Sequence, residues 1–200
     1  MNNFVDQSRG NVDFVLNSVR LLVNPSEDKV TSPSDKKKNR NFAGEVRTGK
    51  RADGSTFKSN ERFATFVVPD DMVDEFRKYG INMWASQKPD ELTGEYTYFA
   101  RMVLSYNGRT KPSVYLVDEN NRRTPLSEDT VGTLDYISIR DVDVVLRKKD
   151  KPDGKGTFGF WINVLYAYQD TPRDPFAAKF SELEESAGNG GGDDDLPFNV

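Results

Sequence analysis

Three features of this 200-residue sequence predict a mainly β fold. Short runs of alternating apolar and polar residues, punctuated by Gly, Pro, Asp and Asn, recur from residue 12 to residue 168. One segment near residue 70 has helical spacing instead. A long pair of strands joined by a basic turn closes the series. Together these fit a five-stranded barrel of the OB type with additional strands and one helix between strands; a two-sheet sandwich is the rival arrangement. A short helix and a flexible acidic tail are expected to follow the barrel.

Residues 12–23 read as a long first strand whose alternation slips at Asn17–Ser18, the mark of a bulge or sharp bend. Residues 24–39 are rich in Pro, Ser, Asp and Lys and read as a loop. Strands follow at 40–47 and 61–68, with Asp53-Gly54 as a turn signal. Residues 70–79 read as a helix capped by Asp70. Its Met72, Val73, Phe76 and Tyr79 lie on one face, and Gly80 ends it. Strands resume at 81–86, 95–106 and 113–117. Residues 131–147 read as a long strand or bent pair, and 157–168 as the last strand. On that strand the alternation assigns Phe158, Phe160, Ile162, Val164, Tyr166 and Tyr168 to the core. Gly159, Trp161, Asn163, Leu165 and Ala167 fall on the other face.

Composition narrows the chemistry. Cys and His are both absent. That removes disulfides, thiolate metal sites, thiol nucleophiles and imidazole bases. No apolar run reaches 18 residues, and the first residues lack a secretory pattern, so a cytoplasmic protein is expected. Neither a cofactor nor a metal is expected. Asp135, Asp141 and Asp143 are the candidate acids for a Mg²⁺-dependent nuclease, the minor alternative. A binding protein, not an enzyme, is the main expectation.

Charge is unevenly distributed. Residues 181–200 carry six acids and no Lys or Arg, so the other 180 residues hold a net +2 within the chain's −4. Cations gather at Lys36–Arg51 and Arg147–Lys155, with Arg109 and Lys111 as a smaller group. Cations of one sign on several loops make a phosphate-tracking groove if the fold unites them. The expected phosphate contacts are Arg47, Lys50, Arg51, Lys58, Arg62, Arg101, Arg140, Lys148, Lys149 and Lys151, with Lys36–Lys38 as a flexible arm. Single strands are held without sequence preference when aromatic faces stack on bases beside such cations. Trp161, Trp84, Phe99 and Tyr136 are the stacking candidates, with core or interface packing as the competing role for the tryptophans. Tyr136 and Arg140 are expected to share one strand face.

The end of the chain is hard to explain as structure. A stretch GNGGG leads to Asp193, Asp194, Asp195, Leu196, Pro197 and Phe198, three acids followed by exposed apolar residues suited to a partner's pocket. This DDDLPF resembles the acidic tip of bacterial single-stranded DNA-binding proteins, although Asn199 and Val200 follow it here. The plan of barrel plus acidic tail, with VGTLDYISIRDVDVVLRKK…GTFGFWINVLYAY as its closing strands, resembles phage replication single-stranded DNA-binding proteins. The resemblance implies an OB-fold DNA-binding domain over 1–172, a short C-terminal helix over 173–187 and a protein-interaction tail over 188–200. It also implies coating of single-stranded DNA in replication, recombination and repair. The tail would recruit polymerase, helicase-primase or recombinase and compete with DNA for the groove. The same analogy allows a homodimer. The alternative is a virion or adaptor protein with an OB-like or sandwich body.

Overall fold

A computed structural model describes residues 2–8, 10–24, 38–50, 56–108 and 110–170. The chain divides into Met1–Asp170 and Thr171–Val200, and every described residue belongs to the first unit. The expected C-terminal helix and acidic tail, the Asp53-Gly54 turn, Arg51, Arg109, Lys36 and Lys37 lie outside the described residues.

The protein is mainly β. Among the described residues the strands are β1 (Phe4–Asp6), β2 (Asp13–Val19), β3 (Arg40–Lys50), β4 (Thr56–Val67), β5 (Met83–Ala85), β6 (Tyr98–Leu104), β7 (Ser113–Val117), β8 (Arg123–Leu126), β9 (Ile139–Lys148) and β10 (Phe160–Gln169). They form one mixed sheet whose hydrogen-bonded path is β1-β2-β9-β10-β6-β4-β3, with β5 on β6, and the β7–β8 pair on β10. The contacts of β10 with β6 and β7 are parallel, and the other ladders are antiparallel.

The slip in β2 is real. Leu16 pairs with Val144 and Val19 with Val142, so β2 carries one residue more than β9 across this stretch. Ser18 takes a positive φ of 52°. Its N–H, removed from the ladder, donates to Asp143 Oδ1 at 2.9 Å. The extra residue keeps Phe14, Leu16, Val19 and Leu21 all buried although their spacing changes parity. It also swings the chain to a new neighbour. Leu21 bridges Phe66, Leu22 N–H donates to Thr65 O, and Val67 N–H donates to Arg20 O.

The helix forms as a 3-10 turn, Asp70–Met72, running into α1 (Val73–Lys78). Asp70 does not cap it: Pro69 stands at the N-cap and no side chain bonds there. Asp71 instead accepts from Asn3 Nδ2 at 2.9 Å. Four acids over Asp70–Glu75 still complement the helix dipole. Gly80 ends the helix at φ +65°. Phe76 is fully buried, with its ring 5.1 Å from both Phe14 and Phe160. Each such edge-on or tilted pair adds about 0.5–1.5 kcal/mol beyond area burial.

Two expectations need correction. Residues 131–138 are not strand, because Val131–Asp135 is a 3-10 turn. Val131 and Leu134, three residues apart, are both fully buried, the spacing a 3-10 turn needs. Gly132 lies so close to Ala43 that an added Cβ would sit 3.0 Å from its Cα. Asp135 then receives the Phe42 and Ala43 N–H groups at 2.9 and 2.8 Å, replacing ladder bonds where β3 bulges. On β10 the expected faces hold only to Ile162. Ile162 pairs with Leu146 but Val164 with Val145, so Asn163 is an extra residue. After it the parity reverses: Leu165 and Ala167 enter the core, while Val164, Tyr166 and Tyr168 turn partly outward.

Candidate nucleic-acid interface

β6 alternates cleanly. Ala100, Met102 and Leu104 join the core, which sends Phe99, Arg101 and Val103 to the opposite face. Register then extends that face sideways. Trp84 pairs with Phe99, and Trp161 pairs with Val103 on one side and Arg147 on the other. The result is an outer stripe from Trp84 and Phe99, through Arg101 and Val103, to Trp161. It spans about 13 Å along β6.

The stripe is aromatic and cationic. The Trp84 and Phe99 rings lie 6.4 Å apart. Arg101 stacks over the buried Phe63 ring, 4.2 Å from its centroid. Lys149 Nζ sits 4.0 Å from the Trp161 ring centroid. Trp84 and Trp161 remain 42% and 38% exposed, large values for tryptophans in or beside a ladder. A cleft of about 320 Å³ opens among Asn82, Trp84, Arg101, Lys149, Lys151 and Phe160.

The loop carrying the lysines is built, not loose. Asp153 Oδ1 accepts from Lys155 N and Thr157 N at 2.9 and 3.0 Å, and its Oδ2 accepts from Thr157 Oγ1 at 2.9 Å and Asn82 Nδ2 at 3.2 Å. The Thr157 amide, chiefly, holds the Asp153 carboxyl below its ordinary range. Phe158 exchanges backbone bonds with Gly80 and Asn82, which braces the loop against the end of α1.

Of the expected site residues, the fold unites Trp84, Phe99, Arg101, Lys149, Lys151 and Trp161. Lys148 turns away, with its Nζ over the Phe158 ring at 3.2 Å. Arg62 is corrected: it is 9% exposed and paired with Glu128 Oε1 at 3.0 Å, so its charge is already compensated inside the protein. Tyr136 and Arg140 share no strand face, because Tyr136 follows the 3-10 turn and lies before β9 begins. Tyr136 is 86% exposed. Arg140 pairs with Asp141 Oδ2 at 2.9 Å and stands eight residues from Lys148 along β9, about 27 Å away. Arg47, Lys50 and Lys58 occupy the outer part of the β3–β4 ladder, opposite Ser59, Thr56 and Thr48. Arg51 and Asp193–Phe198 lie outside the described residues.

The nuclease acids are committed elsewhere. Asp135 binds β3 backbone, Asp141 binds Arg140, and Asp143 accepts from Ser18 N and from Tyr168 Oη at 2.7 Å. Among the described residues no three potential metal ligands gather, and no helix is long and apolar enough to cross a membrane. Sequence reading put Asn163 on the outer face but missed that it is an inserted residue, and it missed Val103, buried yet lining the first cleft. The signal for Asn163 was there: Leu165 and Ala167 are out of phase with Phe160 and Ile162. No family description, curated protein or solved structure matches the chain.

Proposed function

We propose that the protein binds single-stranded DNA without sequence dependence, coating and protecting it during phage-type replication and recombination. The observation that carries this reading is the Lys149–Trp161 contact, within a stripe that also holds Arg101 and the Trp84–Phe99 pair. Rings supply stacking surfaces for any base, and the neighbouring cations supply phosphate attraction. The connectivity supports the OB-type reading. Numbered along the chain, β2, β4, β6, β9 and β10 would be barrel strands one to five. Their neighbour order is then one-four-five-three-two, with three and five parallel, and the Leu21–Phe66 bridge returns two to one. In such barrels the face of strands two and three and the loop between four and five bind oligonucleotides. Here those are β4–β6 and the Lys149–Gly159 loop.

The acidic segment Asp193–Phe198 fits the recruitment of replication or recombination proteins through a basic-rimmed apolar pocket. Its charge also makes it a rival of DNA for the cationic stripe, so deleting residues 193–200 should tighten binding at low salt. The deciding experiment is a titration of the full chain with oligo-dT and with a duplex of equal length. Quenched Trp emission and an affinity for the single strand that falls with salt are expected. Equal and negligible affinity for both would leave the adaptor alternative.

A further inference from the structure

Two clefts of similar size and different chemistry adjoin the Lys149–Trp161 contact, Lys149 lining the first and Trp161 the second. The first, beside Trp84, carries Arg101, Lys149 and Lys151 against one acid, Asp153. The second, about 340 Å³, is lined by Ser105, Gly108, Thr110, Arg147, Trp161, Ile162 and Asn163. Lys149 borders the first and not the second, and its ammonium covers one face of the indole. The Lys149–Trp161 contact therefore marks the boundary of the two clefts.

Charge separates them. Among the described residues the single cation of the second cleft is Arg147. It is held by Asp13 in a two-pronged pair, Nε to Oδ1 at 3.0 Å and Nη2 to Oδ2 at 3.2 Å. Its charge is compensated locally, which makes it a poor phosphate ligand. What remains among the described lining residues is neutral and hydrogen-bonding. Asn163, the inserted residue of β10, offers an amide with two donors and one acceptor, and Thr110 offers a hydroxyl. Neither side chain hydrogen-bonds to another described residue. Ser105 Oγ accepts only a long 3.4 Å bond from Asn107 N. An aromatic wall beside open neutral hydrogen-bonding groups is the chemistry that holds a nucleobase, whose faces stack and whose edge both donates and accepts.

We infer that this second cleft is a nucleobase pocket. One base of a bound strand stacks on Trp161 away from Lys149 and hydrogen-bonds by its edge to Asn163 and Thr110, while the flanking phosphates run toward the Lys149–Lys151 side. The inference rests on the proposed single-strand binding and adds to it a subsite that contacts base and not backbone.

The test uses the full chain with two probes of equal length, oligo-dT and an oligomer of abasic deoxyribose phosphates, measured by anisotropy at low salt. Asn163→Ala should weaken oligo-dT three- to tenfold and leave the abasic probe unchanged. Thr110→Val, a near-isosteric change at an exposed position, should weaken oligo-dT two- to threefold with the same selectivity. It decides the matter if Asn163→Ala disturbs the bulge and lowers the melting temperature. If both variants keep oligo-dT affinity within twofold, or lose both probes alike, the pocket assignment is overturned. In that event a large loss in Trp161→Ala on oligo-dT would leave the single-strand reading standing. Failure of the wild-type chain to bind either probe would overturn both.

Discussion

The two ends of the β9–β10 pair use the same kinds of residue and reach opposite results. Near the Lys149 end, cations lie over aromatic rings: Lys149 on Trp161, Arg101 on Phe63. At the Arg140 end each polar group meets a carboxylate. Arg140 pairs with Asp141, and Tyr168 Oη donates to Asp143. Asp170 adds a further acid there, its N–H bonded to Ser138 O. Arg140 too lies over a ring, that of Tyr168, but its charge is offset by Asp141 and Asp170. A ring beside a cation does not by itself distinguish the two ends; the local balance of charge does.

Substitutions can break that contrast. Trp161→Ala should lower single-strand affinity by about 1–3 kcal/mol, the cost of one stacked base, whereas Tyr136→Ala should change it less than twofold. Comparable losses in both would erase the distinction between the ends. The double change Lys149→Ala with Lys151→Ala should weaken binding and flatten the dependence of log affinity on log salt by about 1.4, since each phosphate contact on a single strand contributes about 0.7. Arg140→Ala should leave that slope unaltered. Asp143→Ala should act on stability and not on DNA. It strands the Ser18 N–H and frees the Tyr168 hydroxyl, at a cost of about 1–3 kcal/mol in thermal or denaturant unfolding.

The smallest effect is one of pH. The hydrogen bond to Asp143, with burial and the acids nearby, pushes the Tyr168 hydroxyl up to about 12. A raised value means the neutral phenol is favoured in the folded state. Its stabilising contribution is complete below the ordinary tyrosine range near 10 and is lost as pH climbs from there through about 12. Absorbance in the near ultraviolet, where tyrosinate absorbs and tyrosine does not, should show a late ionisation from Tyr168 that is lost in Tyr168→Phe, while Tyr106, raised by burial, is unaffected. A titration unchanged by that substitution would mean the Asp143 bond is not formed in solution.

Much of this was legible in the sequence where it depended on local alternation. The β2 slip at Asn17–Ser18, the helix near Phe76 and its stop at Gly80, and the sharing of one face by Phe99 and Arg101 all follow from spacing along one chain. What was not legible depended on a partner. The burial of Arg62 requires Glu128, 66 residues away. The 3-10 turn at Val131 is favoured by the close approach of Gly132 to Ala43. The reversal of faces on β10 becomes certain only when Val145 is seen opposite Val164. The three-residue β1, and β8 with Pro125 inside it, leave too few alternations to register as strands, whereas β5 falls inside the strand expected at 81–86.

The inserted Asn163 works on β10 as an extra letter works on a reading frame. Before it, odd-numbered side chains look outward; after it, even-numbered ones do. Excising that residue would leave one uninterrupted alternation, with Phe160, Ile162, Leu165 and Ala167 on one side and Trp161, Val164 and Tyr166 on the other. Shortening the strand by that single position should therefore spare both the exposed indole and the inward side chains, and cost only the amide that Asn163 carries.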